Sequence, residues 1–467
     1  MKGSIAGGKP WALPGGWRWE RIEDVAPVNP KRKFGSTSDD EPMAFVPMAA
    51  VAEESGKIDV SQSRPAVEVR KGYTRFQSGD VIFAKITPCM ENGKIAVIPE
   101  LRSSFGTGST EFHVLAPERV EARFLFYWLS QRQFRQEAEF NMTGTAGQKR
   151  VPLDYLRNAS IPVPPSETQR RIVARIDELF SELDDGEEEL ARARADLETY
   201  RKALLKAAVT GELTADWREG NAPEGDGTAF LSQLRANREP PEGRRRPRSG
   251  RTSSADPAIL PTLSESWAWA TLGQLMTHIE AGLNVKAQGR PPEPGETGIV
   301  KISAVTWDEF DETESKTLFA DTAIREANLI RPGDLLLSRA NTLELVGAPA
   351  IVGHIGRRLV ISDKVLRLHV DETVKRWVYY VLKSPLGRKQ IEAAATGNQL
   401  SMRNISQDSL RALAIPLPPR LELDEMMSRI DAGWLGHIDM KEALEETDAS
   451  TLRQSILAAA FRGELVQ

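Results

Sequence analysis

The stretch SETQRRIVARIDELFSELDDGEEELARARADLETYRKALLKAAVTG, running from Ser166 to Gly211, decides the architecture of this chain. Ile172, Ile176, Leu179, Leu183, Leu190, Leu197 and Leu204 lie three, four or seven residues apart, and Gly186, Ala193, Tyr200 and Ala207 fill the remaining seam positions. That is a heptad seam, the pattern by which one helix packs along another. Pro164 and Pro165 forbid helix upstream, and Ser166 with Gln169 has the spacing of a capping box. Gly211 can take the left-handed conformation that stops a helix. At about 1.5 Å per residue the rod is about 65 Å long. Most of its other positions are Glu, Asp, Arg or Lys, so it cannot bury enough surface alone and requires a partner helix.

The partner lies in the same chain. IPLPPRLELDEMMSRID and, further on, SILAAAFRGELV repeat the beginning and end of the first rod, with Ile161 answering to Ile415, Asp177 to Asp431 and Gly211 to Gly463. A fixed long period signals duplication of a whole unit. The second rod offers Leu423, Met427, Ile430, Trp434, Leu444, Leu452 and Ile456, and Leu423 stands where the first copy has Gln169. The competing reading is two separate core helices of two ordinary domains.

With 467 residues, 40% apolar and 27% charged, the chain has the composition of an ordinary soluble protein of two or three domains. No apolar run approaches the length of about 18 residues that spans a bilayer, and MKGSIAGGKPWALPGG lacks the apolar core of a signal peptide. A single cysteine, Cys89, excludes an internal disulfide or a multi-cysteine metal site and points to a cytoplasmic protein. The formal net charge of −5 argues mildly against nucleic-acid binding, but the charge is uneven. Acids cluster at Asp184, Asp185, Glu187, Glu188 and Glu189 on the rod, whereas Lys31, Arg32, Lys33, Arg70, Lys71, Lys149 and Arg150 give the preceding domain a locally basic character that can hold DNA.

Residues 13–165 read as one α+β domain. It opens with Trp17 and Trp19 in a half-buried strand, continues with the strands GDVIFAKI, KIAVIP and GSTEFHVLAP, and carries an amphipathic helix over 122–140. Phe124, Tyr127, Trp128, Leu129 and Phe134 of that helix are expected in the core rather than as a base-stacking platform. The polar loop NMTGTAGQKRV follows. The rod occupies 166–213, and 214–259, rich in Pro, Gly, Ser and Arg around REPPEGRRRPRSGR, reads as a mobile linker in which TAFLSQLRANRE makes one short helix. Residues 260–419 then replay the first domain in order, through Trp267 and Trp269, PGDLLLSRANT, VGAPAIVG, RWVYYVLKSPLGRKQI and ATGNQLSMRNI, and 420–467 replay the rod. Between these anchors, at 31–75 and 284–325, the copies show no similarity, as expected of one scaffold carrying two different reading surfaces.

The duplication also tests which polar residues recur. Lys85 corresponds to Arg339, Thr87 to Asn341 and Lys149 to Arg403, with Gln148 and Arg150 adjoining in one copy, Gln399 and Asn404 in the other. Cations and amides at matched strand ends and loops are what base readout demands, although they serve equally as solvated loop residues or contacts to the rod. Lys31, Arg32 and Lys286 join them as candidate DNA contacts. There is no glycine-rich phosphate loop and no His or Cys pair at metal spacing. Asp80, Lys85, Glu91 and Lys94 suggest a metal-dependent nuclease, but Leu345 and Ala348 break that set in the second copy. Asp80 and Asp334 are better read as parts of a Gly-Asp turn.

The Trp-x-Trp opening after Leu-Pro, the Gly-Asp-led strand, the Thr-Gly loop and Ile-Pro-x-Pro-Pro entering a long helix that ends in Gly-Glu-Leu all occur twice, and together they resemble the specificity subunit of type I restriction-modification enzymes. The resemblance covers Leu13 to Leu465 and rests on the duplicated order. It implies two target recognition domains, 13–165 and 260–419, each reading half of a bipartite double-stranded DNA target, and two long helices pairing as an antiparallel coiled coil with pseudo-two-fold symmetry. It implies no catalysis and no cofactor in this chain, and docking to modification (methyltransferase) subunits, two in number, and to restriction (motor-nuclease) subunits of a phage-defence system. S-adenosylmethionine, ATP and Mg²⁺ would then belong to those partners. The alternatives are a self-contained nuclease or methyltransferase fragment, and a coiled-coil scaffold that binds protein alone.

Overall fold

A computed structural model describes residues 11–32, 38–103, 105–145, 147–221, 225–237, 260–305, 310–399, 402–445 and 449–466, with the backbone alone at 398–399 and 435–445. The chain divides into two compact units, Met1–Ala191 with Glu446–Gln467, and Arg192–Glu445. No described helix is long and apolar enough to cross a membrane.

In the first unit the opening strand Arg18–Arg21 pairs antiparallel with Ser160–Val163, setting Trp19 opposite Pro162. In the second, Ala268–Thr271 pairs with Ala414–Leu417 and Trp269 faces Pro416. Each repeat is thus closed by its first and last strands, at the Trp-x-Trp and Pro-Pro signals. Between them, Val81–Ala84 lies antiparallel to both Ile95–Val97 and Phe112–Leu115, and all four of its residues are buried. Leu335–Ser338 lies likewise between Pro349–Ile351 and Val365–Val370, with Met276–Ala281 added beyond the latter. The Gly-Asp turn that starts each central strand is the same. Gly79 and Gly333 take φ of +82° and +85°, and the Asp80 and Asp334 carboxylates accept the backbone N–H groups of Gln77 (2.6 Å) and Arg331 (2.9 Å).

The segments in which the two copies looked unrelated carry a second sheet of common design. Pro42–Val46 has Ser63–Pro65 antiparallel on one side and Gly106–Gly108 parallel on the other. Thr297–Val300 has Ser315–Leu318 antiparallel and Arg358–Val360 parallel. Both strands run into a tight 3₁₀ turn, Met48–Ala50 and Ile302–Ala304, followed by the bridges Val51–Ile58 and Val305–Phe310. The shared signal was faint: FVPMAAV at 45–51 against IVKISAV at 299–305.

The aromatic segment is two helices rather than the single one expected over 122–140. Ala122–Ser130 and Arg132–Phe140 are separated by Gln131 in an extended conformation, as Glu372–Lys383 and Pro385–Ala394 are by Ser384. In the second copy Pro385 enforces the break. In the first the bend returns Phe134 to the core, with its ring centroid 6.2 Å from that of Trp128 and 6.3 Å from that of Phe83. Phe124, Tyr127, Trp128, Leu129 and Phe134 are all buried, so these aromatics are core.

Ser166–Thr210 is one helix of 45 residues, and Gly211 ends it at φ +80°. Its start differs in detail from a capping box. The Gln169 side chain accepts from the Glu121 N–H (2.9 Å) and donates to the Pro164 carbonyl (3.0 Å), stitching the rod to the start of the Ala122–Ser130 helix. The rod begins in the core of the first unit, through Ile172, Val173 and Ile176, and its last turns, Leu205, Ala208 and Val209, belong to the core of the second. The other stem does the reverse. Arg420–Glu445 buries Leu423, Met426 and Ile430 in the second unit, and Ala449–Arg462 buries Leu457, Ala460 and Phe461 in the first.

Within the second unit the pairing is antiparallel: Arg201 lies over the Trp434 ring at 4.4 Å, Gly433 adjoins Leu204, and Arg429 reaches the Leu213 carbonyl at 2.8 Å and Asp216 at 2.6 Å. Within the first, Arg453 pairs at 2.5 Å with both Asp184 and Glu187. One seam assignment is corrected. Tyr200 is 50% exposed and its neighbour Arg201 is buried instead. A helix of about 3.6 residues per turn drifts roughly 20° per heptad, which over several heptads moves the seam by one residue.

The stretch 214–259 is only in part the joint expected. Ala215–Gly220 and Gly227–Ala236 are helical, and Phe230, Leu231 and Leu234 belong to the core of the second unit. The basic run REPPEGRRRPRSGR at 238–251 and Lys33 lie outside the described residues.

Candidate nucleic-acid interface

In each unit the chain leaving the central strand is laddered to the end of the Thr-Gly loop. Ile86 bridges Arg150, the Thr87 N–H donates to the Lys149 carbonyl (3.1 Å), and the Val151 N–H donates to the Lys85 carbonyl (2.8 Å). In the second unit Ala340 pairs with Asn404, Asn341 with Arg403, and the Ile405 N–H donates to the Arg339 carbonyl (3.1 Å). On the other side the Lys85 N–H reaches the Glu111 carbonyl (2.9 Å), and the Arg339 N–H that of Lys364 (2.8 Å). Residues matched by offset in sequence are therefore matched by register in space. The glycine of each loop is required by the same crossing. Gly144 and Gly397 take φ of +125° and +137°, and a Cβ would stand 2.9 Å from the Gln148 carbonyl oxygen or 2.7 Å from that of Met402.

Lys149, Gln148 and Asn404 are exposed, and Lys85, Thr87, Arg339, Asn341 and Arg403 half-buried. Several are already engaged. Arg403 donates to the Gly397 carbonyl (2.6 Å), the Asn341 side-chain oxygen accepts the Thr342 N–H (2.9 Å), and the Thr87 hydroxyl donates to Glu91. Arg150 forms a two-pronged pair with Glu111, at 2.9 Å on both prongs. Arg150 and then Lys85 hold the Glu111 carboxyl below the usual range. The Gln399 backbone pairs with Met402, and its side chain lies outside the described residues. Lys31 and Lys286 are exposed and lie off this ladder. Arg32 is a correction: its guanidinium grips Asp80, with the two side chains only 14% and 5% exposed, so it braces the Gly-Asp turn instead of facing outward. Burial pushes the Asp80 carboxyl up against the pull of Arg32.

Behind the ladder sits His113, which the sequence reading did not single out. Its Nε2 meets the Val151 carbonyl at 2.9 Å and its Nδ1 the Asn29 amide nitrogen at 3.0 Å. Asn29 is oriented because its oxygen accepts the Val114 N–H at 2.9 Å, so the ring is a neutral tautomer with Nε2 protonated. Burial lowers its pKa. The nuclease-like set does not assemble. Asp80 is taken by Arg32, and Lys94 donates to the Val51 carbonyl (3.0 Å). Among the described residues no group of three or more His, Cys, Asp or Glu is arranged to hold a metal ion.

A family model for the type I restriction modification DNA specificity domain matches residues 14–191. The type I restriction enzyme EcoEI specificity subunit of Escherichia coli is 29% identical over 471 residues, covering 91% of this chain and 78% of that protein. Along most of its length the chain is similar to a type I restriction enzyme specificity subunit. The EcoAI specificity subunit of Escherichia coli is 34% identical over 215 residues, covering 45% of this chain and 36% of the relative. The crystal structure of the HsdS subunit from Thermoanaerobacter tengcongensis shares the fold, with TM-score 0.56 and 23% identity over 97% of this chain and 99% of that one. The sequence pointed to the paired cations of the ladder but not to Glu111, His113 and Lys364. The available signal was position: Glu111 and Lys364 each stand just ahead of the strand that flanks the central one.

Proposed function

We propose that this chain is a type I restriction-modification specificity subunit that reads a bipartite DNA target, one half through each repeat, using the ladder that joins the central strand to the Thr-Gly loop. The observation that carries this reading is the ladder itself: one backbone frame, built twice at the same register, presenting Lys85, Thr87 and Lys149 in one unit and Arg339, Asn341 and Arg403 in the other. Cations and short polar side chains on a fixed frame suit base edges and phosphates alike. The two stems, each rooted in the cores of both units, act as the spacer between the half-sites. An antiparallel helix pair of about 65 Å is long enough to hold two readers one helical turn of about 34 Å apart.

The chain itself performs no methyl transfer or cleavage. It docks modification and restriction subunits in the cytoplasm, and S-adenosylmethionine, ATP and Mg²⁺ are bound by those partners. Methylation of a base requires it to leave the stack, a step that belongs to the methyltransferase. The test is methylation mapping in cells producing the full complex. Replacing residues 13–165 with the equivalent domain of another family member is expected to change one half of the methylated motif and leave the other. A motif that changes in both halves, or in neither, would sink this assignment.

A further inference from the structure

We propose that Glu111 and Lys364 are a matched base-reading position, at which the two ladders carry opposite charge. The inference rests on the DNA-reading function proposed above. The two residues occupy the same place in the frame, since their carbonyls accept the N–H groups of Lys85 and Arg339 respectively. Their neighbours across the ladder change with them. Glu111 lies against Arg150, whereas the position of Arg150 is held by Asn404 in the unit that has Lys364.

Several positions that build this frame keep their chemistry between the copies. Asp80 and Asp334 make the same turn, and Gly144 and Gly397 the same close crossing. Lys85 with Arg339 and Lys149 with Arg403 keep their sign of charge. Glu111 and Lys364 invert it on an identical backbone, which a purely structural role does not require. Both side chains reach solvent, at 26% and 50% exposure, beside the matched cations.

The chemistry differs accordingly. A carboxylate accepts hydrogen bonds, so Glu111 suits an exocyclic amino group, cytosine N4 or adenine N6. Its two-pronged pair with Arg150 fixes the plane of the carboxylate while lone pairs remain on both oxygens. An ammonium donates, so Lys364, held at 2.9 Å by its neighbour Asp363, suits the acceptors O6 and N7 of guanine.

The test uses the assembled complex with its methyltransferase partners and a set of duplexes carrying every single base-pair change in the target, scored by equilibrium binding. Glu111→Gln is expected to reduce discrimination at one base pair of one half-site by about 5- to 100-fold, leaving the other positions and the other half unchanged. Lys364→Gln is expected to do the same in the opposite half. Should Glu111→Gln melt early, Lys364→Gln carries the test alone. A uniform loss of affinity on all duplexes, or no change, would overturn the inference and leave the DNA-reading function standing. A wild-type complex that does not distinguish the duplexes would overturn both.

Discussion

Arg32 and Lys149 look alike in the sequence, two cations in a basic domain, yet their surroundings give them opposite tasks. Arg32→Ala would leave the buried Asp80 carboxylate without its partner and is expected to cost about 3 to 5 kcal/mol in denaturant unfolding of the first unit. Lys149→Ala is expected to leave stability alone and to weaken DNA binding about equally on all sequences, lowering the salt slope of binding by about 1. An equal slope before and after would remove Lys149 from the phosphate contacts. His113 adds a dependence on pH. Burial sets its folded pKa below the ordinary 6.5, so the stability it contributes is present above that value and is lost as the pH falls through the folded pKa. The first unit should therefore melt earlier at about pH 5.5 than at about pH 7.5, and His113→Gln should flatten the difference. Lys149 stood out in the sequence, but the tasks of Arg32 and His113 did not, because charge and polarity are written there and their partners, 48 residues away for Arg32 and 38 for His113, are not.

At the scale of elements, local signals served well wherever the chain's own geometry decided the outcome. Pro165 and Gly211 mark the ends of the rod to the residue, and the Gly-Asp turns stand where the dipeptides fall. Tertiary demands were harder to see. Phe134 bends its helix to reach Trp128, Phe230 draws a helix out of an apparent linker, and the parallel strands of the second sheets share little beyond scattered Val and Ala. The loops offer a clean test of the local argument. Gly144→Ala and Gly397→Ala each force a Cβ against backbone, and each should cost about 1 to 3 kcal/mol of strain or loosen the ladder it crosses. Sequence discrimination in the corresponding half-site, measured on the duplex set, should fall with it. Discrimination kept intact in both variants would mean that the loops do not read.

For the molecule as a whole, the duplicated order was plain in the sequence, but the exchange of stem ends was not, since a heptad names a seam without naming the core that receives it. Phe461 shows the result: its ring centroid is 4.9 Å from that of Phe124 and 5.1 Å from that of Trp128. Phe461→Ala is expected to destabilise the first unit, most of whose residues precede it by hundreds, by about 3 to 5 kcal/mol, while the second unit melts nearly unchanged. Domain-resolved hydrogen exchange would distinguish this from a loss spread over both. Adding one heptad to each stem should widen the gap between methylated half-sites, and an unchanged gap would remove the stems as the spacer.

The exchanged ends also bear on how the chain is made. A ribosome adding roughly 5 to 20 residues per second delivers Phe461 tens of seconds after Trp128 has left the exit tunnel. The repeat synthesised first is thus the one completed last, and for that interval the aromatic face awaiting Leu457, Ala460 and Phe461 is bare, an opening for chaperones during translation.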